Sequence, residues 1–133
     1  SLCEQAMVRA GLTDTKRILN SRPYQLSGGM LQRVLIALAI AGKARLVIAD
    51  EPTTALDAIH RDRAVEQLLK LREQGCAILI VTHDFDVTRH MGGHVLIMKE
   101  GWMVERGSAK EVLQNPKAGY TKELIEAIHL GWG

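Results

Sequence analysis

Two short segments of this chain carry residue types suited to phosphate chemistry. In one, Leu46, Val47, Ile48 and Ala49 run directly into Asp50 and Glu51, and Pro52 follows. Four apolar residues stopped by a proline read as a short strand buried on both faces. Asp50 and Glu51 then stand at its carboxyl end, where ligands of open α/β sheets collect. An aspartate there suits Mg²⁺, which takes oxygen ligands and keeps several waters. A second carboxylate beside it can orient and polarise a water for attack on a phosphoryl group. An acidic loop leading into a helix fits this pair of residues about as well.

The other segment is Leu26-Ser27-Gly28-Gly29-Met30, which opens a long apolar helical run. Two glycines let backbone N–H groups come close to a ligand, and the positive end of the helix dipole favours an anion there. Ser27 adds a hydroxyl donor. By itself the segment also reads as a turn with Ser27 as the helix N-cap. Two further polar residues follow apolar segments: Asp57, placed to cap a helix, and His83, just after the run at 77–81.

The elements that must position these residues are legible from pattern. Helices are expected at residues 2–10, closed by Gly11, at 14–19, and at 30–41, with Met30, Val34, Leu38 and Ala41 on one face. Leu31, Leu35, Ile36 and Ile40 widen that apolar surface, so the third helix should be buried around much of its circumference. Residues 22–24 read as a loop around Pro23. Asp57 caps a helix at 58–73, whose apolar side is Ala64, Val65, Leu68, Leu69 and Leu71 and which Gly75 ends. A second buried strand is expected at 77–81, and a short helix capped by Asp84 runs to His90. Residues 94–98 and 103–106 form a hairpin around Glu100-Gly101, and helices at 109–113 and 121–130 close the chain. Buried strands alternating with helices give an α/β fold with a partly parallel sheet.

Composition narrows the class. The 133 residues are 47% hydrophobic and 24% charged, as in an ordinary globular chain, and only 4% aromatic, so Leu, Ile, Val and Ala build the core. A net charge of +2 from scattered Lys and Arg is no electrostatic footprint for nucleic acid. The longest apolar run, residues 34–41, is far short of the ~20 needed to span a bilayer, and no signal peptide is visible. Cys3 and Cys76 form no CxxC pair, and Cys76 reads as a buried thiol in a reducing compartment. His60, His90, His94 and His129 show no ligand spacing and read as structural, while Trp102 and Trp132 read as packing or surface residues.

Together the segments resemble the nucleotide-binding subunits of ABC transporters. Residues 26–30 with Gln32-Arg33 resemble the signature motif, and residues 46–50 the Walker B strand, with Glu51 in the place of the catalytic glutamate. Thr54-Ala55-Leu56-Asp57 resembles the D-loop, and Val81-Thr82-His83-Asp84 the switch-histidine segment. Four motifs in this order and spacing are specific. SGGMLQR, with Met30, and the tail at 115–121 are closest to oligopeptide, dipeptide and nickel importers, although Ala118-Gly119 replaces the His-Pro of their tail. No tail cysteine cluster occurs, so no iron–sulfur centre is implied.

The resemblance implies the C-terminal part of a P-loop NTPase core preceded by the end of a helical subdomain. Residues 1–44 would be that subdomain with the signature helix, 45–107 the core, and 108–133 the closing helices. The 133 residues contain no GxxxxGK[ST] segment, since Gly42-Lys43 is the only Gly-Lys pair and lacks the upstream glycine. The Q-loop is not recognisable either, so the missing half is N-terminal and the chain reads as a fragment inactive alone. The implied ligands are ATP and Mg²⁺. Ser27, Gly28, Gly29 and Met30 would contact ATP held by a second ATP-binding subunit. Asp50 would position Mg²⁺ through water, Glu51 would activate the attacking water, His83 would bond the γ-phosphate, and Asp57 would act across the dimer interface. The implied setting is peripheral, on the cytoplasmic face of the inner membrane. Permease subunits would be direct partners and a solute-binding protein an indirect one, without nucleic acid. An ABC-type ATPase of DNA repair or chromosome maintenance shares these motifs but adds coiled coils and basic surfaces, neither present here. A truncated inactive product is the remaining alternative.

Overall fold

The computed structural model describes residues 1–54 and 56–129. Ala55 of the D-loop-like segment, the side chain of His129, Leu130 at the end of the last expected helix, and Trp132 lie outside the described residues. Contacts divide the chain into two units, Ser1–His83 and the residues from Asp84 onward.

The first unit is built from α1 (Leu2–Arg9), α2 (Thr15–Leu19), α3 (Gly28–Ala41), β1 (Leu46–Asp50), α4 (Ala58–Glu73) and β2 (Ala77–Val81). Polar caps start these helices. Ser1 and Glu4 form a capping box on α1, Asp14 caps α2, Ser27 caps α3 and Asp57 caps α4. Gly11 (φ 80°) and Gly75 (φ 88°) take left-handed backbone just after α1 and α4, as a helix C-terminus favours. α1 packs on α3, α3 on α4, and α4 on β2. The core consists of Ala6, Met7, Ala10, Leu12 and Ile18, of Ile36 and Ala37 on α3, and of Ala64, Val65, Leu68 and Leu71 on α4. Leu68 is 3% exposed. Leu68→Ala should therefore cost about 2–5 kcal/mol, read as a lower urea midpoint; an unchanged midpoint would contradict this packing.

β1 and β2 pair in parallel, Leu46 opposite Ala77 through Asp50 opposite Val81. Both strands depart from the expected burial. Side chains alternate across a strand. On one side Val47, Ala49, Ile78 and Ile80 are half-buried, whereas on the other Leu46, Ile48, Leu79 and Val81 are 48–64% exposed. Among the described residues this sheet has two strands, and the side chains of its second face are open to solvent. α3 shows the same departure: Ile36 and Ala37 are buried, but Leu35 and Leu38 are exposed. Residues 23–25, expected as loop, form a 3-10 turn, which Pro23 can begin because it needs no N–H there.

The second unit holds α5 (Phe85–Met91), the strands β3 (His94–Lys99) and β4 (Trp102–Ser108), α6 (Ala109–Gln114) and α7 (Gly119–His129). β3 and β4 form the expected antiparallel hairpin. Its turn places Glu100 (φ 50°) and Gly101 (φ 82°) both at positive φ, the backbone that matches strand twist in a two-residue turn. Asp84 caps α5, and the Glu105 carboxylate accepts the N–H groups of Lys117 and Ala118 at the entry to α7. Val87, Met91, Ile97, Ala109 and Val112 are its buried apolar residues, and Trp102 is on the surface.

Candidate functional site

The signature-like turn is set by its own sequence. Leu26 and Ser27 are extended, and α3 begins at Gly28, two residues before the expected start. The Ser27 hydroxyl oxygen accepts the N–H of Met30 at 3.3 Å. Accepting through a lone pair leaves the O–H hydrogen able to donate elsewhere, so capping and ligand binding are compatible in this serine. A Cβ at Gly28 would meet nothing within 4 Å, and one at Gly29 would make ordinary contact with His60 Cδ2 at 3.6 Å. Neither glycine is required by packing within the described chain.

Ser27, Gly28, Gly29 and Met30 form one wall of an open cleft of about 430 Å³. Arg33 of α3 lines it too, and Leu56, Asp57 and His60 contribute from the start of α4. Asp57 is gripped twice by one residue. Its Oδ1 accepts the backbone N–H of His60 at 3.0 Å, and its Oδ2 lies 2.7 Å from His60 Nδ1. These bonds, the backbone one first, hold its carboxyl below the usual aspartate range. Of the residues singled out in the sequence, this cleft collects Ser27, Gly28, Gly29, Met30 and Asp57.

Asp50, Glu51 and His83 do not line it; they stand at the carboxyl ends of the parallel strands. The N–H of Glu51 donates to Val81 O at 2.8 Å, which brings Glu51 beside the segment leading to His83. Glu51 has φ 45°, a left-handed backbone uncommon for a residue with a side chain and costing of order 1–3 kcal/mol. That turn directs its carboxylate to two partners: Oε1 is 2.9 Å from His83 Nδ1, and Oε2 accepts the Thr54 hydroxyl at 3.0 Å. The His83 bond is the main reason the Glu51 carboxyl titrates below its ordinary value of 4.5, with Thr54 adding to it against partial desolvation. The His83 side chain is 80% exposed, and Asp50 is exposed at the end of β1. Gln32 ties the two regions together, donating from Nε2 on α3 to Pro52 O at 2.6 Å.

Three contributors escaped the sequence reading. Thr54 and His60 each lie three residues after the carboxylate they bind, a spacing the sequence does display. His60, read there as structural, is part of the cleft wall. The left-handed backbone of Glu51 has no signal in residue type.

Among the described residues no three acidic, histidine or cysteine side chains gather into a protein-only metal cage. Asp50, an exposed carboxylate at the end of β1, is an oxygen donor of the kind Mg²⁺ takes beside waters and substrate phosphates.

A sequence family described as ABC transporter matches residues 2–54. The chain is 47% identical over 115 residues to the metal-staphylopine import system ATP-binding protein CntD of Staphylococcus aureus, covering 86% of this chain and 42% of that protein. It is 40% identical over 121 residues to the dipeptide transport ATP-binding protein DppD of Escherichia coli, covering 90% and 37%. The chain thus spans about two-fifths of the length of the curated relatives it matches. Among solved structures, a dimeric ATP-binding cassette in a post-hydrolysis state with ADP and Pi aligns with TM-score 0.66 and 35% identity, over 79% of this chain and 44% of that one. The cbiO1 protein of Clostridium perfringens, part of the ABC transporter complex cbiONQ, aligns with TM-score 0.73 and 31% identity, over 97% and 48%. The fold is the mixed α/β fold of those cassettes. Motifs, relatives and structural neighbours agree: over the residues matched, this chain is similar to the ATP-binding cassettes of ABC transporters.

Proposed function

We propose that this chain is the signature-to-C-terminus part of a subunit that hydrolyses ATP to drive import of a small solute, of the peptide or metal-chelate kind. The solute class follows relatives whose names specify oligopeptide, dipeptide and metal-staphylopine import. The observation that carries the reading is the division of the chemistry. A carboxylate–histidine pair stands at the strand ends, while a glycine-walled cleft elsewhere has no packing reason for its glycines.

Glu51 is the base. Its oxygens are held by His83 and Thr54, and an ionised carboxylate, with about four lone-pair sites, can still accept a proton from the attacking water. His83 holds that carboxylate through Nδ1 and, when protonated, can donate from Nε2 to a γ-phosphate oxygen. Asp50 would hold Mg²⁺ through water, and the ion would neutralise phosphate charge. Ser27 and the first N–H groups of α3 receive the γ-phosphate of ATP held by a second ATP-binding subunit, with Asp57 at the same interface. Within the chain, residues 1–44 present the signature, 45–107 the hydrolytic residues, and 108–133 close the domain.

Among the described residues no helix is long and apolar enough to cross a membrane. By likeness to the import ATP-binding proteins, we infer that the subunit lies peripherally at the cytoplasmic face, against permease subunits that a solute-binding protein supplies.

The 133 residues include no phosphate-cradling GxxxxGK[ST] loop, which supplies most contacts to a subunit's own nucleotide. The isolated chain should therefore show no appreciable Mg-ATP binding by calorimetry. Micromolar affinity, with turnover above a Glu51→Gln control, would overturn the reading.

A further inference from the structure

We propose that His60 is a positioning residue: it fixes the Asp57 carboxylate at the wall of the signature cleft, and so sets the group that meets the partner subunit. The inference rests on the reading of Asp57 as an interface residue given above and adds a residue to it.

The geometry is specific. One residue engages both oxygens of Asp57, through its backbone N–H at 3.0 Å and its imidazole Nδ1 at 2.7 Å. The backbone bond is an ordinary helix cap, which any residue at this position could supply. The imidazole bond is not needed to start α4, and it holds the carboxylate against rotation. The same ring faces the signature turn across the cleft that both line, close enough that a Cβ added at Gly29 would stand 3.6 Å from His60 Cδ2. His60 thus spans the cleft from the cap of α4 to the first turn of α3. Both ends of that span line the same opening, together with Arg33. Asp57 and His60 are both about half-exposed or more, with side chains 65% and 47% accessible, so water competes for either group alone. An exposed carboxylate with only its cap would sample several rotamers. The imidazole restricts that set before a partner arrives, and the ordering cost is then smaller on closure.

The test is a double-mutant cycle in a full-length subunit containing this segment, read as ATP turnover and as ATP-dependent dimerisation. Asp57→Asn keeps the cap, since asparagine caps as well as aspartate, but loses the charge and the acceptor for Nδ1. His60→Ala removes the imidazole and leaves the backbone bond, and His60→Asn restores a short side-chain donor. We expect His60→Ala to lower turnover about three- to ten-fold, with most of it restored by His60→Asn. ATP binding by the isolated subunit and its thermal midpoint should stay unchanged. Adding His60→Ala to Asp57→Asn should cost nothing further, because the residue acts through that carboxylate. Additive losses, or full activity of His60→Ala beside an impaired Asp57→Asn, would overturn the role of His60 and leave the interface reading standing. Full activity of Asp57→Asn would instead overturn the interface reading itself.

Discussion

Glu51→Gln in a full-length subunit lowers ATP turnover by about 10²–10⁴-fold while ATP binding persists, as expected on losing a positioned general base. The substitution is close to isosteric. An amide oxygen can still accept from Thr54, but the amide has no carboxylate to take a proton from water and cannot hold both present partners in the same way. ATP should then hold the dimer closed, because the step that opens it is lost. The charge state adds a pH expectation. The folded Glu51 carboxyl titrates below 4.5, so the ionised form is the one that folding favours. Its favourable contribution is fully present above pH 4.5 and fades as pH falls through the lower folded value. Near neutral pH the base is already deprotonated, and the Glu51-dependent acid limb of turnover should lie below 4.5. Steady-state turnover with equilibrium nucleotide binding checks the substitution; an unchanged turnover number would show that another group activates the water.

Ser27→Arg, or Gly28→Asp, should have an effect of similar size by a different route. Loss of a preorganised donor to an oxyanion is typically worth about 10²–10³ in rate, and here bulk or negative charge would also face a phosphate. A Cβ at Gly28 would meet nothing within 4 Å, so Gly28→Asp should leave the fold in place, whereas Ser27→Arg also removes the α3 cap and should cost about 1 kcal/mol. Isolated subunits should bind ATP nearly as before, whereas closure of the dimer and hydrolysis should both fail. Unchanged hydrolysis would show that the turn contacts no phosphate.

Much of this arrangement was legible in the residues themselves. Ser27, Asp57 and Asp84 announce helix starts, Gly11 and Gly75 helix ends, and Glu100-Gly101 a hairpin, because each imposes a local backbone geometry. Residues 46–50 and 77–81 pair in parallel as their apolar runs imply. The burial of those runs was not legible. An apolar strand states that it will be covered in its complete sheet, not that the covering element belongs to the same stretch of chain, and Ile48 and Leu79 lie bare here. Leu35 and Leu38 on α3 teach the same lesson. In the candidate site, residue type and the strand before it pointed to Glu51, and only the resemblance of the motifs raised His83; their contact depends on a left-handed turn at Glu51 and on strand register. His60 was hidden for the opposite reason. Its neighbour Asp57 already had a sufficient role as a cap, and the cleft that His60 shares with Gly29 lies between two helices.

Whether the Ser27–Met30 turn serves a nucleotide held by another subunit is decided most directly by nucleotide trapping in mixed dimers. One subunit carries Ser27→Arg, and the other lacks its phosphate-loop lysine. If each ATP site is built from one subunit's phosphate loop and the other's signature turn, both lesions fall in one composite site. The second site remains intact and still traps nucleotide. Placing both lesions on one subunit, opposite an unaltered one, damages both sites, and trapping should disappear. Equal trapping by the two arrangements would contradict a role for this turn across the interface.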